Sequence, residues 1–167
     1  MALSYQEALD QLTAPGAPFA TSEIEIDGVT YKVFDRAAGT LRDLFDRARE
    51  RAGDVYLVYE DERWTFGEVM AQVDGIASAL VERYGVGKGD RVAIGMRNYP
   101  EWITSFAAIT SIGAISVSLN AWWTEDELDY ALGDSSPKVL IADKERVERG
   151  LRSCQERGIA ILGVRLG

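Results

Sequence analysis

The chain contains no histidine in 167 residues and a single cysteine, Cys154. Without an imidazole, Ser-His-Asp triads, Cys-His pairs and histidine-ligated metal centres are excluded. One cysteine leaves no internal disulfide and no cysteine metal cluster. Cys154 falls on the inner face of an expected helix and reads as a small core residue rather than a nucleophile. Positive charge is also scarce, with 18 Lys and Arg against 27 Asp and Glu and a net charge of −9. Such a chain repels phosphate backbones and shows no local basic patch, which argues against a nucleic-acid partner. Arg146, Arg149 and Arg152 alternate with acids and read as a solvated helix face. The first residues, MALSYQEALDQL, lack the basic start and apolar core of a signal peptide, so a cytoplasmic location is expected. Residues 102–124 carry no charge, a run long enough to raise the question of a membrane span. Ser105, Ser111, Ser116, Ser118 and Asn120 interrupt it and Gly113 divides it, so it parses as a buried helix followed by a buried strand. Membrane contact is expected to be peripheral at most.

What is present is a repeated strand–helix pattern. Three short apolar runs, Arg91–Gly95, Ala114–Leu119 and Lys138–Ala142, are separated by two helix-like segments. Asn98 with Glu101, and Thr124 with Glu127, have the spacing of capping boxes, in which a short side chain and a carboxylate satisfy each other's backbone N–H groups. Pro100 sits in the first turn, where a missing N–H costs nothing. This alternation predicts an α/β fold, a mainly parallel sheet of about five strands with helices on both faces, flavodoxin-like or Rossmann-like.

The flanking segments extend the pattern. A short helix over Tyr5–Leu12 precedes the breaker TAPGAP. EIEIDGVTYKVF alternates on both sides of Asp27-Gly28, the signature of a β-hairpin. Thr40 opens a helix running to Gly53 with Leu41, Leu44, Phe45 and Ala48 on one face. Val55–Tyr59 reads as a short strand, and after the turn at Glu60-Asp61-Glu62, Arg63–Thr65 can pair back as the arm of a second hairpin. Thr65 and Glu68 form a third capping box, opening a strongly periodic helix over Phe66–Tyr84. Asp143 caps a helix to Arg157 with Val147, Leu151 and Cys154 inside, and Ile159–Val164 is a last strand. The expected organisation is an amino-terminal segment with a hairpin, residues 1–37, and an α/β subdomain, residues 38–167. No helix follows the last strand to cover the sheet, so the sequence reads as the amino-terminal piece of a longer protein.

Candidate chemistry is sparse. GVGKGD (85–90) is glycine-rich, but it follows a helix and precedes a strand, the reverse of a phosphate-binding loop. It reads as a helix cap and turn. Neighbouring acids, Asp61/Glu62 and Glu125–Glu127, read as turn and helix-dipole residues rather than catalysts. No catalytic and no metal-ligating residue is assigned. Ligands of open parallel sheets bind beyond the carboxyl ends of the strands, here Gly95–Asn98, Asn120–Trp123 and Asp143–Lys144. Trp122 and Trp123 are adjacent in a loop, where both cannot readily be buried, and an exposed indole suits stacking on a ligand or docking against another domain.

WTFGEV (64–69), GVGKGDRVAIGMRNYPEW (85–102) and SIGAISVSLNAWWTEDELDYALGDSSPKVLIAD (111–143) together resemble the amino-terminal portion of the acyl-adenylate-forming enzymes, the AMP-dependent synthetase/ligase superfamily. Within it they are most similar to bacterial medium- and long-chain fatty-acid CoA ligases. The resemblance implies a two-step reaction. ATP and a fatty acid give an acyl-adenylate and pyrophosphate with the help of Mg2+, and the thiol of coenzyme A then displaces AMP. It also implies that Asn120, Trp122, Trp123, Asp143 and Lys144 face the approach of coenzyme A. The family's phosphate loop, its later Tyr-Gly segment, its ribose-binding Asp and its carboxyl-terminal lysine have no counterpart in these residues. The resemblance therefore implies that this chain alone is inactive and binds none of ATP, Mg2+ or CoA. Its apolar surface would favour self-association into a homo-oligomer. A second reading is a stand-alone flavodoxin-like binding or interaction module without catalysis.

Overall fold

The computed structural model describes residues 3–167; Met1 and Ala2, at the start of the segment read above as no signal peptide, lie outside the described residues. The chain divides into two units, one ending at Gly39 and the other spanning Thr40–Gly167. The smaller unit holds α1 (Tyr5–Thr13) and an antiparallel hairpin of β1 (Thr21–Ile26) and β2 (Val29–Phe34). Ser4 and Glu7 form a capping box that starts α1. Asp27 and Gly28 both take positive φ, 49° and 78°, as a two-residue hairpin turn demands. The expected hairpin is present.

The larger unit carries α2 (Leu41–Asp46), a 3-10 turn (Arg47–Arg51), β3 (Val55–Tyr59), β4 (Glu62–Thr65) and α3 (Phe66–Glu82). After these come β5 (Arg91–Gly95), α4 (Pro100–Ser111), β6 (Ile115–Ser118), α5 (Glu125–Ser135), β7 (Val139–Asp143), α6 (Lys144–Arg157) and β8 (Ala160–Val164). β5 to β8 form one parallel sheet in the order β6-β5-β7-β8. The α/β architecture expected from the sequence is present with four strands in that sheet. β3 pairs with β4 in the second antiparallel hairpin that the sequence indicates. Residues 102–124 divide into most of α4 and all of β6, as their punctuation indicates. No helix among the described residues is long and apolar enough to cross a membrane.

Both faces of the sheet are covered, which is why the central strands β5 and β7 read as unbroken apolar runs. On one face Val92, Ile94, Val139 and Ile141 pack with Leu80 of α3 and Ile109 of α4. On the other, Ala93, Leu140 and Ala142 pack with Leu128 and Leu132 of α5 and Cys154 of α6. A third cluster joins α3 and α4 through Val69, Met70, Val73, Ala107 and Ala108.

Several local expectations are corrected. The capping box of Asn98 and Glu101 does not form; Tyr99 is the N-cap of α4 without a side-chain bond, because Glu101 is drawn to the guanidinium of Arg165. The helix expected from Thr40 to Gly53 is α followed by a 3-10 turn, and only Phe45 and Ala48 of its apolar face pack, Leu41 and Leu44 being exposed. In α6 the buried residues are Arg146, Gly150, Ser153 and Cys154, while Leu151 is exposed. The cause is close packing. A Cβ on Gly150 would lie 3.3 Å from methyls of both Leu128 and Leu140, so α6 approaches through its smallest side chains. Asp143 and Arg146 then end up inside together.

Candidate functional site

The order β6-β5-β7-β8 places a topological switch between β5 and β7. The loop after β5 leads to α4 on one face, and β7 runs into α6 on the other. In open parallel sheets the crevice at that point is where ligands sit. Here it is bridged by Asp143. One carboxylate oxygen, Oδ2, accepts the backbone N–H of Arg97 at 3.0 Å; the other, Oδ1, accepts that of Arg146 at 3.2 Å and so caps α6.

Arg146, expected in solvent, is only 3% exposed and lies against that carboxylate. Its Nη1 donates to both oxygens of Asp143 at 3.2 Å and to Glu145 at 2.8 Å. Its Nε and Nη2 both donate to the carbonyl of Ala121, at 2.7 and 2.6 Å. Arg149, half-buried, donates from Nη1 to the carbonyl of Trp123 at 2.8 Å and pairs with Glu145 through Nη2. Arg152 alone of the three stays in solvent, paired with Glu125. The loops after β5 and β6 are thus tied to the start of α6 by one carboxylate and two guanidinium groups.

Within the tied loop, Asn120 is exposed, and its Oδ1 accepts the N–H of Trp122 at 2.9 Å while its carbonyl accepts that of Trp123. This side-chain-closed turn sends the two indoles in different directions. Trp123 packs on the cluster of α5 and α6. Trp122 is 71% exposed, with the guanidinium of Arg97 4.6 Å over its ring. A cavity of about 360 Å³ opens beside them, lined by Tyr59, Arg97, Asn98, Tyr99, Ala121 and Trp122. Lys144 is exposed in the first turn of α6 and lines a neighbouring cavity of about 280 Å³ with Arg97, Tyr99 and Asp143. Among the described residues neither Arg97 nor Lys144 has an acidic partner, so the surface carries free positive charge next to an exposed indole. Such a surface can stack a flat ring and attract an anion.

Arg165, just past β8, closes this edge on its other side. It holds Glu62 through both Nη groups at 2.9 Å and Glu101 through Nε, and lies between the rings of Tyr59 and Tyr99. That pairing, with the indole N–H of Trp64, holds the Glu62 carboxyl below its usual range. Thr124 and Glu127 form the expected capping box at the start of α5, and the Thr124 N–H lowers the Glu127 pKa. Cys154 is buried, and burial pushes its thiol up to about 11, far from a nucleophile's range. GVGKGD is a turn: Asp90 accepts the N–H of Gly87 and pairs with Lys138.

The sequence placed Asn120, Trp122, Trp123, Asp143 and Lys144 at this edge, and the fold brings all five to it. In the sequence Arg97 falls within the Gly95–Asn98 strand end without a role of its own, Arg146 and Arg149 are expected in solvent, and Arg165 is given no role. The available signal for Arg146 was its place three residues after the helix-capping Asp143, where a guanidinium can return to the carboxylate. Among the described residues no three acidic or cysteine side chains converge to hold a metal ion.

Residues 44–164 match the family model of the AMP-binding enzymes. The chain is 33% identical to the acyl-CoA ligase sidI of Aspergillus fumigatus over 138 residues, covering 81% of this chain and 22% of that protein. It is 34% identical to the medium/long-chain-fatty-acid–CoA ligase FadD6 of Mycobacterium tuberculosis over 113 residues, covering 68% of this chain and 19% of the other. Among solved structures, a long-chain-fatty-acid CoA ligase (described as putative) from Rhodopseudomonas palustris superposes with a TM-score of 0.70 at 30% identity, over 77% of this chain and 33% of that one. The anthranilate CoA ligase AuaEII, solved with anthranoyl-AMP, gives 0.69 at 28% identity, over 77% and 26%. The chain thus spans about a fifth of the length of the two curated ligases. Its fold, its strand-edge loops and these matches together make it a member of the AMP-binding enzyme family, among relatives named as acyl-CoA ligases.

Proposed function

We propose that this chain is the amino-terminal part of an ATP-dependent fatty acid–CoA ligase and that its carboxyl sheet edge forms the coenzyme A side of that enzyme. In the first step a fatty-acid carboxylate oxygen would attack the α-phosphorus of ATP with pyrophosphate leaving; Mg2+, when bound, would supply neutralisation of the phosphate charge. In the second, the coenzyme A thiol loses its proton, attacks the acyl carbonyl and releases AMP. The observation that carries the reading is the exposed Trp122 beside Arg97, with unpaired Lys144 on the same edge. An indole and two cations suit a ligand that joins an aromatic base to phosphates.

Asn120 shapes the loop, Trp122 and Lys144 face the ligand, and Trp123 and Asp143 hold that surface from behind. The chain by itself is inactive, because the residues that would hold ATP and Mg2+ belong to the remaining four-fifths of a ligase of the relatives' length. The enzyme works in the cytoplasm. The apolar groove along the edge strand β6, about 610 Å³ and lined by Val117, Trp123 and the exposed Tyr130, favours self-association of the isolated chain.

The test is ATP–pyrophosphate exchange and thioester formation, measured on this chain and on a polypeptide continuing through a phosphate loop. The longer protein should turn over palmitate with CoA, and Trp122→Ala should raise its KM for CoA. Turnover by the 167-residue chain alone would overturn the division of labour. An unchanged KM for CoA in Trp122→Ala would remove this edge from the coenzyme A path.

A further inference from the structure

The Asp143–Arg146 pair poses an energetic question. Its side chains are 5% and 4% exposed, and taking two charges out of water costs several kcal/mol per ion, which their attraction repays only with excellent geometry. A well-packed neutral pair of the same size often stabilises a protein equally well. The hydrogen bonds indicate what the charges achieve beyond stability. Only a planar fork can place Nε and Nη2 on one carbonyl while Nη1 reaches a carboxylate. Here the fork is spent on the Ala121 carbonyl, one residue before the exposed indole, and the carboxylate is spent on Arg97 N–H, the residue stacked on that indole.

We infer that Arg146, working through Asp143, is a positioning residue that sets the Trp122–Arg97 surface. The two members of the stack sit on different loops, after β5 and after β6, and no hydrogen bond between Arg97 and the 120–123 loop joins them among the described residues. Both loops are instead referred to the start of α6. Glu145, between Arg146 and Arg149, extends the same reference to the Trp123 carbonyl. The role of that surface in coenzyme A binding rests on the function proposed above; the positioning itself does not.

The test uses the double variant Asp143→Asn/Arg146→Met, which keeps an N-cap acceptor and the side-chain volume but removes both charges and the fork. The chain has four tryptophans, and 5-fluorotryptophan labelling gives each a separate 19F resonance. The expected result is a melting temperature no lower than that of Arg146→Met alone, with the Trp122 and Trp123 resonances moved or broadened and those of Trp64 and Trp102 unmoved. Four unmoved resonances, or all four moving together, would overturn the proposal. If the double variant does not fold, Arg146→Lys replaces it, retaining the charge without the fork; the same selective change supports positioning and its absence overturns it. In the ligase that carries this chain, the double variant should raise KM for CoA about tenfold with kcat within about twofold. A selective 19F change with an unaltered KM for CoA would uphold the positioning and sink the coenzyme A assignment.

Discussion

The two ends of the parallel sheet use the same device in opposite surroundings. At the amino end Lys138 spans Asp90 and the carbonyl of Gly85, tying the turn before β5 to the start of β7, with side chains 48% and 30% exposed. At the carboxyl end Arg146 spans Asp143 and the carbonyl of Ala121, with side chains 4% and 5% exposed. Each is a cation that bridges a carboxylate and a loop carbonyl. Water screens the first, so it trims a turn that Gly87 N–H and the strands already define. The second is dry, so its geometry is imposed on whatever it touches. The end with the screened pair carries only turns, and the end with the dry pair carries the exposed indole and the cavities.

Removing one cation from each end tests this difference most directly. Arg146→Met leaves the Asp143 carboxylate buried without its partner and should cost about 3–5 kcal/mol in urea unfolding. Lys138→Met should leave the unfolding midpoint close to that of the parent chain. Equal effects would show that burial does not separate the two ends. Next in size is Thr124→Ala, which removes the cap of α5 immediately after the carboxyl-end loop and should cost about 1 kcal/mol by the same measurement. An effect near zero would mean that the loop, not the cap, starts the helix.

Acid titration sharpens the amino end. Lys138 and the Gly87 N–H hold the Asp90 carboxyl below the usual carboxylate range. A depressed carboxyl contributes stability that is present above its unfolded pKa and lost as pH falls through the folded one. Stability should therefore drop below about pH 4, and Asp90→Asn should make that drop shallower. The smallest effect is ionic. Raising salt should weaken the Lys138 contribution and leave the Arg146 effect unchanged, since Debye screening reaches exposed pairs and not dry ones. Equal salt sensitivity of the two variants would contradict the burial difference.

Where the sequence was legible, a local rule governed the residue. Thr65 with Glu68 and Thr124 with Glu127 cap their helices as their spacing indicates, since both partners lie within one turn. Asp27-Gly28 turns the hairpin because few other pairs accept two positive φ angles. Leu140 and Ile141 are buried because β7 is covered on both faces. Local rules failed where a distant residue competed. Glu101 has the right spacing to serve Asn98, yet a guanidinium 64 positions away takes it. Leu151 looks internal by hydropathy, but α6 is turned by the close approach of Gly150 to Leu128 and Leu140. Arg146 looks solvated for the same reason and is one of the most buried residues of its helix.

The alternation of strands and helices, their caps and turns, the loops at the strand ends and the family resemblance are all legible along the chain. All of these depend on neighbours a few positions apart or on patterns that recur along the chain. Which arginine is buried, which tryptophan is exposed and which carbonyl each guanidinium holds are settled by packing. Those depend on how closely α6 approaches the sheet. That approach is set by side-chain volumes contributed from α5, β7 and α6 together, and no single stretch of sequence contains them.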